Sequence, residues 1–294
     1  MKKINIQITS VLLSIALTVT FGFLTYFILS AALKDETQLS DPLPDDGGET
    51  PPDAAPDEDI PPSGDQNTAP EEDPDEDEEK KRGSEYIRAK TNGLNVRTGP
   101  GTSYTSLGSL DQNDMLTYKG KTGNWYITEF KNRTAYVSAD KAYTELFAME
   151  HEIDETIEQV IAEGFRLLGS PYVYGAVRLH DGKGNFLKNF DKGKYDCSSL
   201  MQYIFYYGAD VVLDVTTRTQ VVQGRHVAKK DLQRGDLMFF TNSARYNKAG
   251  IERIGHVALY LGDNYILHTA TDHAVIEPIS AQRWKYYIES RRVA

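Results

Sequence analysis

The sequence predicts an α+β fold in the C-terminal half of the chain, preceded by a small all-β barrel. Short alternations of apolar and polar residues, separated by turns rich in Gly and Pro, occupy residues 84–145. Beyond them, two segments carry apolar residues at helical spacing, and strand-like segments follow. The length of 294 residues is sufficient for about two domains, because a single core typically closes within ~100–200 residues.

The first 34 residues predict a membrane anchor. Lys2 and Lys3 precede Ile8–Leu33, a run without a charged residue that exceeds the ~20 residues needed to cross a bilayer. A cleaved signal peptide is the alternative, because the small residues at 30–32 resemble a cleavage site, although the apolar part of a signal normally spans ~7–15 residues. The positive-inside rule then predicts a single-pass cell-membrane protein whose remaining domains are extracytoplasmic.

Residues 35–83 predict a disordered, acidic, Pro-rich linker. They contain nine of the 12 prolines and 19 of the 43 acidic residues, but only three of the 32 basic ones. Such a composition cannot bury enough apolar surface to offset the entropy lost on folding. The net charge of −11 therefore belongs to the linker, and the mildly basic remainder suits an anionic wall as well as an ordinary solvated surface. We expect no nucleic-acid partner, and no pattern predicts an oligomeric state.

Residues 84–145 predict a barrel of short strands. Tyr86–Ala89 and Leu94–Arg97 alternate apolar and polar residues, and turn signals follow at 98–101 and 122–124. The segment LNVRTGPGTSYTSLGSL, followed by Gly123–Tyr126 and Ala135–Val137, resembles the bacterial SH3-like (SH3b) domain. This resemblance implies binding of the wall or of a peptide; such domains also act as spacers or cover a neighbouring active site.

Two positions depart from the SH3b pattern. Asn113 stands where a turn glycine is usual, and Ala135–Tyr136 replaces a Gly-Trp pair. These departures weaken the inference of a ligand groove more than the inference of the fold.

Two amphipathic helices are predicted in the C-terminal domain, residues 150–294. The first spans residues 151–168, where apolar residues recur near a period of 3.6 and Gly169 ends the pattern. The second begins with Asp196 as N-cap, places Cys197 in its first turn, and ends near Gly208. The unpaired backbone N–H groups at a helix start favour a thiolate and can stabilise an oxyanion.

Cys197 is the only cysteine, so no intrachain disulfide exists. A lone thiol outside the cytoplasm is an oxidation liability without a structural partner, which favours a chemical role. A buried, inert cysteine is the alternative.

A hairpin is predicted from Gly255–Leu261 and Tyr265–Thr269. With a three-residue loop at 262–264, Ala258 pairs with His268, so His268 lies one diagonal step from His256 on the same face, at ~7 Å. A two-residue loop would place the two histidines on opposite faces.

These residues predict a nucleophile with its base. His256 would take the proton of Cys197, and His268 would fix the tautomer of His256. One alternative is that both histidines are satisfied residues of a half-buried sheet. Another is a zinc site of one cysteine and two histidines, although neither H-E-x-x-H nor C-x-x-C occurs. We predict no metal and no cofactor.

Six motifs in order resemble the NlpC/P60 family of cysteine peptidases: Pro171–Ala176, Asp196–Leu200, Arg218–Gln220, Arg234–Phe240, Gly255–Gly262 and Ile266–His268. The resemblance implies a papain-like fold and hydrolysis of the bond between γ-D-glutamate and a diamino acid in peptidoglycan stem peptides. It also implies Cys197 as nucleophile, His256 as base, His268 as orienting residue and Tyr172 as a hydroxyl near the thiolate.

The resemblance further assigns three residues to the peptide site: Asp196, Ser198 and Arg218. A carboxylate there can hold a stem-peptide ammonium, and a guanidinium can hold a carboxylate. Ser199 and Ala176 each stand where the family has glycine, and residues 178–194 form a longer connection than usual, which predicts a surface loop. The other four histidines have no partner pattern and are expected to be surface or structural residues: His151, His180, His226 and His273.

The leading hypothesis is therefore a membrane-anchored cysteine endopeptidase that acts on peptidoglycan stem peptides through an acyl-enzyme. Muramoyl-L-alanine amidase or transacylase activity on the same site is the first alternative. An inactive envelope-binding scaffold is the second, and the complete set of Cys197, His256 and His268 argues against it.

Overall fold

The computed structural model describes residues 83–190, 193–270 and 272–294. The predicted anchor, residues 1–34, and all but the last residue of the predicted linker, residues 35–83, lie outside the described residues. Among the helices of the described part, none combines the length and the apolar character that a membrane crossing requires.

The N-terminal module consists of eight short strands, as the alternation predicted: β1 Ser84–Ala89, β2 Leu94–Arg97, β3 Ser106–Leu110, β4 Met115–Thr117, β5 Gly120–Thr122, β6 Trp125–Glu129, β7 Thr134–Ser138 and β8 Thr144–Met149. Asn113, which replaces a turn glycine, adopts a left-handed backbone with φ of 73°. Asparagine tolerates this region better than most residues, so the turn is retained without glycine.

The C-terminal domain mixes helices and strands, which confirms the α+β prediction: α1 Glu155–Arg166, α2 Cys197–Ala209, α3 Thr217–Gln220, β9 Arg225–Val227, β10 Leu237–Phe240, β11 His256–Gly262, β12 Tyr265–Ala270, β13 His273–Pro278, α4 Ala281–Tyr286 and β14 Tyr287–Arg292. Single 3-10 turns occur at Lys229–Asp231 and Gly250–Arg253.

Helix α1 begins where its N-cap side chain satisfies the free N–H groups of the first turn. The Asp154 carboxylate accepts hydrogen bonds from the backbone N–H of Thr156 and Ile157. The helix is thus shorter than the predicted 151–168. Its apolar face packs on α2, where Gly208 is buried against the backbone of Val160 and a Cβ on Gly208 would lie 2.5 Å from the Val160 Cα.

The sheet of the C-terminal domain continues into the N-terminal module. Its nine strands run in the order β8-β1-β4-β13-β12-β11-β10-β14-β9, and all pairs in it are antiparallel. The junction is the pairing of Met115 in β4 with Ile276 in β13. The remaining strands of the module form a second sheet in the order β3-β2-β7-β6-β5.

A second contact between the two parts caps helix α1. The backbone N–H groups of Lys131 and Asn132 donate to the carbonyls of Leu168 and Arg166, each at 2.7 Å. These carbonyls have no partner within the helix, so the β6–β7 turn provides one. The ring of Phe130 lies where a Cβ on Gly169 would be, at 2.1 Å, so only glycine permits this approach.

The β11–β12 hairpin has the predicted register but not the predicted loop. Leu259 pairs with Leu267 and Tyr260 with Ile266, as the predicted pairing of Ala258 with His268 requires. The turn has two residues, Asp263 and Asn264, both with positive φ. A bulge between Tyr260 and Gly262 adds the residue that the shorter turn lacks, so the two histidines still share a face.

The segment Arg234–Asp236, just before β10, forms ion pairs with helix α1 and with strand β14. Arg234 is nearly buried and makes a bidentate pair with Glu158 of α1, at 2.6 and 2.9 Å. Asp236 is fully buried and makes a similar pair with Arg292 of β14. Charges at such positions are tolerated only when paired, so this motif holds helix α1 and β14 in place.

Candidate active site

Helix α2 begins at Cys197 because the preceding residue, Asp196, is its N-cap and forms reciprocal hydrogen bonds with Ser199. The Asp196 carboxylate accepts from the Ser199 N–H at 2.9 Å, and the Ser199 hydroxyl accepts from the Asp196 N–H at 2.9 Å. This capping box confirms Asp196 as the N-cap. The serine that departs from the family pattern therefore helps to fix the helix start and the position of Cys197.

The Cys197 sulfur lies against strand β11. The side chain is buried within the main core, and the backbone N–H of Val257, the residue after His256, acts on the thiol. In the described chain the thiol is not hydrogen-bonded to the His256 ring. Catalytic hydrogen bonds often tighten only when a substrate binds, so this arrangement is compatible with a thiol–imidazole pair.

Burial of the Cys197 sulfur opposes the thiolate that the helix start favours. Burial and the negative charge of Asp196 raise the pKa of Cys197 to about 12. The Val257 and Ser198 N–H groups and the Arg178 guanidinium lower this pKa but do not compensate. Desolvation of the anion therefore outweighs the helix terminus, and Cys197 is a neutral thiol at neutral pH.

The two predicted histidines contact each other directly. A hydrogen bond of 2.9 Å joins His256 Nε2 to His268 Nδ1, with the ring centroids 5.1 Å apart and the planes nearly perpendicular. Burial lowers the pKa of both rings, that of His256 well below its ordinary value, and the nearby Arg283 adds to the effect. Both imidazoles are thus neutral at neutral pH, and His256 is able to accept a proton.

The next members of this chain of contacts, Glu277 and Arg283, were not predicted from the sequence. His268 Nε2 is hydrogen-bonded at 2.9 Å to Glu277 Oε1, and the same oxygen accepts from Arg283 at 2.7 Å. Burial would raise the pKa of Glu277, but the charges and hydrogen bonds of His268 and Arg283 lower it to about 2. Extending the period-2 pattern into a second hairpin, β12–β13, would have placed Glu277 on the face of His268.

Tyr172 and Ser198 both lie near Cys197. Burial, Cys197 and Asp196 raise the pKa of Tyr172, so its phenol remains protonated and can donate a hydrogen bond. The Ser198 hydroxyl is buried and donates to Asp196 at 3.1 Å.

Asp196 does not offer an open carboxylate to a substrate ammonium, so that expectation is not supported by the structure. The side chain is buried and accepts hydrogen bonds from four groups: the Ser198 hydroxyl, the Ser199 N–H, the Gly175 N–H and the Arg178 guanidinium, which pairs with it closely. These bonds use the acceptor capacity of a carboxylate. Asp196 instead holds the start of α2 and anchors Arg178.

Arg178 is a further site residue that sequence reasoning missed. It opens the long segment 178–194, which was expected to be a surface loop but whose first residues are held down by buried contacts. The Leu179 N–H donates to the Gln202 side chain at 3.1 Å, and the His180 ring is hydrogen-bonded to the Leu213 carbonyl at 3.0 Å. The Arg178 guanidinium acts electrostatically on Cys197, Tyr172 and Asp196.

Arg218 lies in α3 and forms an ion pair with Glu252 at 3.7 Å, not with Cys197 or the histidines. Its helix is nevertheless tied to the site, because Gln220 donates to the Ser198 carbonyl at 3.0 Å. The structure thus gathers Cys197, Tyr172, Ser198 and Asp196 around one helix start, with His256 on the adjacent strand β11 and His268 on the next strand, β12. Arg218 lies to the side of this group.

The fold and the site define an α+β domain, behind an SH3-like module, that holds one cysteine and two linked histidines together. Residues 169–293 match the model of the NlpC/P60 family, and residues 92–143 match the model of the bacterial SH3 domain. The chain therefore contains an NlpC/P60 domain and a bacterial SH3 domain, which confirms both resemblances.

Similar proteins include two bacterial endopeptidases. The chain is 31% identical over 132 residues to the peptidoglycan DL-endopeptidase CwlO of Bacillus licheniformis. This match covers 44% of this chain and 26% of that protein. The chain is 27% identical over 136 residues to the peptidoglycan endopeptidase RipA of Mycolicibacterium smegmatis, covering 46% and 25%. The match thus spans about a quarter of each relative.

Among solved structures, the chain is similar to an NLP/P60 family protein from Staphylococcus aureus. The identity is 28%, the TM-score is 0.39, and the match covers 49% of this chain and 43% of that one.

Proposed function

We propose that this protein is a cysteine endopeptidase that cleaves peptidoglycan stem peptides at the bond between γ-D-glutamate and a diamino acid. One observation carries the proposal: the capped start of helix α2 presents Cys197 to strand β11, where His256 begins an uninterrupted chain of contacts to His268 and Glu277. A nucleophile, a base and a group that orients the base are the parts that acyl transfer needs.

In the proposed reaction, His256 takes the thiol proton of Cys197 while the sulfur attacks the scissile carbonyl. The backbone N–H groups at the start of α2 and the Tyr172 hydroxyl are the candidate donors to the resulting oxyanion. The intermediate collapses when the C–N bond breaks and His256 returns the proton to the leaving amine. His256 then deprotonates a water molecule that hydrolyses the thioester, which releases the acid and restores the thiol.

A resting state in which the Cys197 thiol and the His256 imidazole are both neutral is suited to this sequence of steps. Because the pKa of Cys197 is raised and that of His256 is lowered, the proton has to move as the C–S bond forms, and the charge that develops is passed to the oxyanion. The chemistry therefore depends on bound substrate, which protects a lone extracytoplasmic thiol from adventitious oxidation.

The relatives support the choice of substrate. Those described above are named peptidoglycan DL-endopeptidase and peptidoglycan endopeptidase, and a third, from Bacillus subtilis, is named gamma-DL-glutamyl hydrolase. Arg178 supports the choice of bond, because γ-linked glutamate carries a free α-carboxylate close to the scissile amide. A guanidinium beside the nucleophile is the group that recognises such a carboxylate.

The location follows as part of the same proposal. Residues 1–34 would anchor the protein in the cell membrane, and residues 35–83 would carry the two domains toward the wall.

The test is digestion of a defined tripeptide, L-Ala-γ-D-Glu-diaminopimelate, and of the same stem on muramic acid, by the full chain in detergent, with products identified by mass spectrometry. We expect L-Ala-γ-D-Glu and the free diamino acid from the tripeptide, and no product from Cys197→Ser or His256→Gln. Release of the whole stem from muramic acid would instead identify an amidase, and adducts with an added amine a transacylase. Turnover that survives Cys197→Ser would refute the cysteine mechanism.

A further inference from the structure

Glu277 is a partly buried carboxylate that the proposed reaction does not use directly. In the β12–β13 hairpin, Ile266 pairs with Glu277 and His268 pairs with Val275, so Glu277 lies one diagonal step from His268 on the same face. His268 is fully buried, and its Nε2 is 2.9 Å from Glu277 Oε1. Arg283, also buried, donates to the same oxygen at 2.7 Å.

The chemistry of these groups leaves one arrangement of protons. Glu277 is ionised, with a pKa of about 2, and an ionised carboxylate only accepts hydrogen bonds. His268 must therefore carry a proton on Nε2. Because burial and Arg283 lower the pKa of His268, it is neutral and its Nδ1 has no proton. That Nδ1 can only accept, so His256 must donate to it from Nε2.

We propose that Glu277 is a positioning residue: through His268 it fixes the proton of His256 on Nε2 and leaves Nδ1 as the basic nitrogen. Nδ1 is the only ring nitrogen of His256 that remains for Cys197, since Nε2 is bonded to His268. The inference rests on the proposed function only in naming His256 as the base. The tautomer itself is a property of the resting protein.

The hydrogen-bonded series His256–His268–Glu277 is called the relay here. Arg283 gives this relay a second property. A lone carboxylate behind two imidazoles would favour their cationic forms, and His256 would then be protonated and unable to act as a base. Arg283 offsets that charge, and its own field lowers the pKa of both histidines. The ion pair of Glu277 with Arg283 thus orients the protons without protonating the base.

The experiment combines histidine tautomers with kinetics in the full chain. Histidine ring ¹⁵N labels report which nitrogen carries the proton, and the signals of His256 and His268 are assigned by their loss in His256→Gln and His268→Gln. In the wild type we expect both rings as Nε2–H tautomers. In Glu277→Gln, whose amide both donates and accepts, we expect a mixture of tautomers and a kcat lower by roughly 10- to 1000-fold, with KM changed by less than about twofold.

Two further variants keep the result interpretable. Glu277→Gln leaves Arg283 buried beside a neutral partner, so Glu277→Gln/Arg283→Met removes both charges and protects the fold. It should show the same mixed tautomers and low kcat. Glu289→Gln, in β14 and paired with Arg291, removes a carboxylate outside the relay and should leave tautomers and kcat unchanged.

Unchanged Nε2–H tautomers in a folded Glu277→Gln, or in the double variant, would overturn the proposal even if the wild type cleaves peptides. Mixed tautomers in a protein whose wild type cleaves nothing would instead leave the relay standing and refute the proposed function.

Discussion

At the scale of single residues, the protonation of Cys197 is decided by its surroundings and not by its place on a helix. A helix terminus contributes about half an elementary charge, which is worth roughly 0.3–2 kcal/mol. Loss of water around a buried anion costs more, and Asp196 adds repulsion. The residue that caps the helix thus also holds the sulfur in its protonated form.

This assignment predicts how the thiol reacts with an alkylating agent. The rate of iodoacetamide modification should rise about tenfold for each pH unit from 6 to 9, without a plateau, because the thiolate fraction keeps growing below the raised pKa of about 12. Cys197 is the only cysteine, so mass spectrometry of the intact chain reports on it alone. A cysteine in a short unstructured peptide, with a pKa of ~8.5, is the control, and its rate should begin to level off between about pH 8 and 9. A rate independent of pH below 7 would reveal a preformed thiolate and contradict the assignment.

Arg178 leads to a prediction about substrate choice. If its guanidinium holds the α-carboxylate of D-glutamate, the tripeptide with D-isoglutamine, in which that carboxylate is an amide, should have a kcat/KM lower by roughly 10- to 100-fold. In Arg178→Gln the two substrates should differ by less than about threefold. Arg166→Gln, which removes an exposed pair with Glu163, is the matched control and should keep the full preference. Equal rates for both tripeptides in the wild type would remove Arg178 from substrate recognition.

At the scale of secondary-structure elements, the close approach of α1 and α2 depends on glycine. A Cβ on Gly208 would meet backbone atoms of Val160 at 2.5 Å, whereas a Cβ on Gly164 would meet the flexible end of Leu267 at 2.9 Å. Gly208→Ala should therefore lower the free energy of unfolding by about 1–3 kcal/mol. Gly164→Ala should cost less, because Leu267 can move and alanine favours the helix by up to ~1 kcal/mol. Urea unfolding measures both, and an equal loss in the two variants would contradict this packing.

The turn before strand β4 makes stability depend on pH through Asp114. Burial raises the pKa of this carboxyl from its ordinary 3.8 to about 7, and nearby Glu277 and Asp272 add to the shift although the Asp111 N–H opposes it. An acid that is harder to ionise when folded destabilises the protein above its unfolded pKa. The penalty should grow from pH 3.8 to pH 7 and then stay constant, reaching at most roughly 4 kcal/mol.

Asp114→Asn tests this dependence because the amide oxygen still accepts from Asp111 but carries no charge. The variant should unfold at a higher urea concentration than the wild type at pH 8, and at about the same concentration at pH 3.5. Asp210→Asn, an exposed carboxylate at the end of α2 whose charge does not act on Asp114, is the control and should show no such divergence. If the urea midpoint of Asp114→Asn exceeded that of the wild type by the same amount at both pH values, ionisation of Asp114 would be excluded as the cause.

At the scale of the whole molecule, the SH3 module and the NlpC/P60 domain are expected to unfold together. The pairing of β4 with β13, the cap of α1 by Lys131 and Asn132, and the burial of Phe130 against Gly169 all cross between them. The two tryptophans report on the two parts, since Trp125 lies in β6 and Trp284 in α4.

In full-length Trp284→Phe and Trp125→Phe, fluorescence should therefore give the same urea midpoint. Phe130→Ala, which empties a buried contact worth about 3–5 kcal/mol, should lower the midpoint seen by either tryptophan. Tyr104→Ala, at an exposed position of the module, is the control. Two separate midpoints in the single-tryptophan proteins would show that the parts are independent.

The sequence by itself determined those features that depend on neighbours along the chain. Asp196 caps a helix because its side chain reaches the third N–H beyond it, and His256 and His268 share a face because a strand alternates with a period of two. Even the wrong loop length left the register intact, because the apolar residues of β11 and β12 must face the core and a bulge restores the alignment.

Only the tertiary structure decided the electrostatics of the site. Glu277 is hydrogen-bonded to His268 and Arg283, and Arg178 forms an ion pair with Asp196. The spacing of these residues along the chain follows no local period. The pKa values of Cys197 and His256 depend on how completely water is removed from around them. Desolvation is a property of the assembled core, so no segment of the sequence carries it alone.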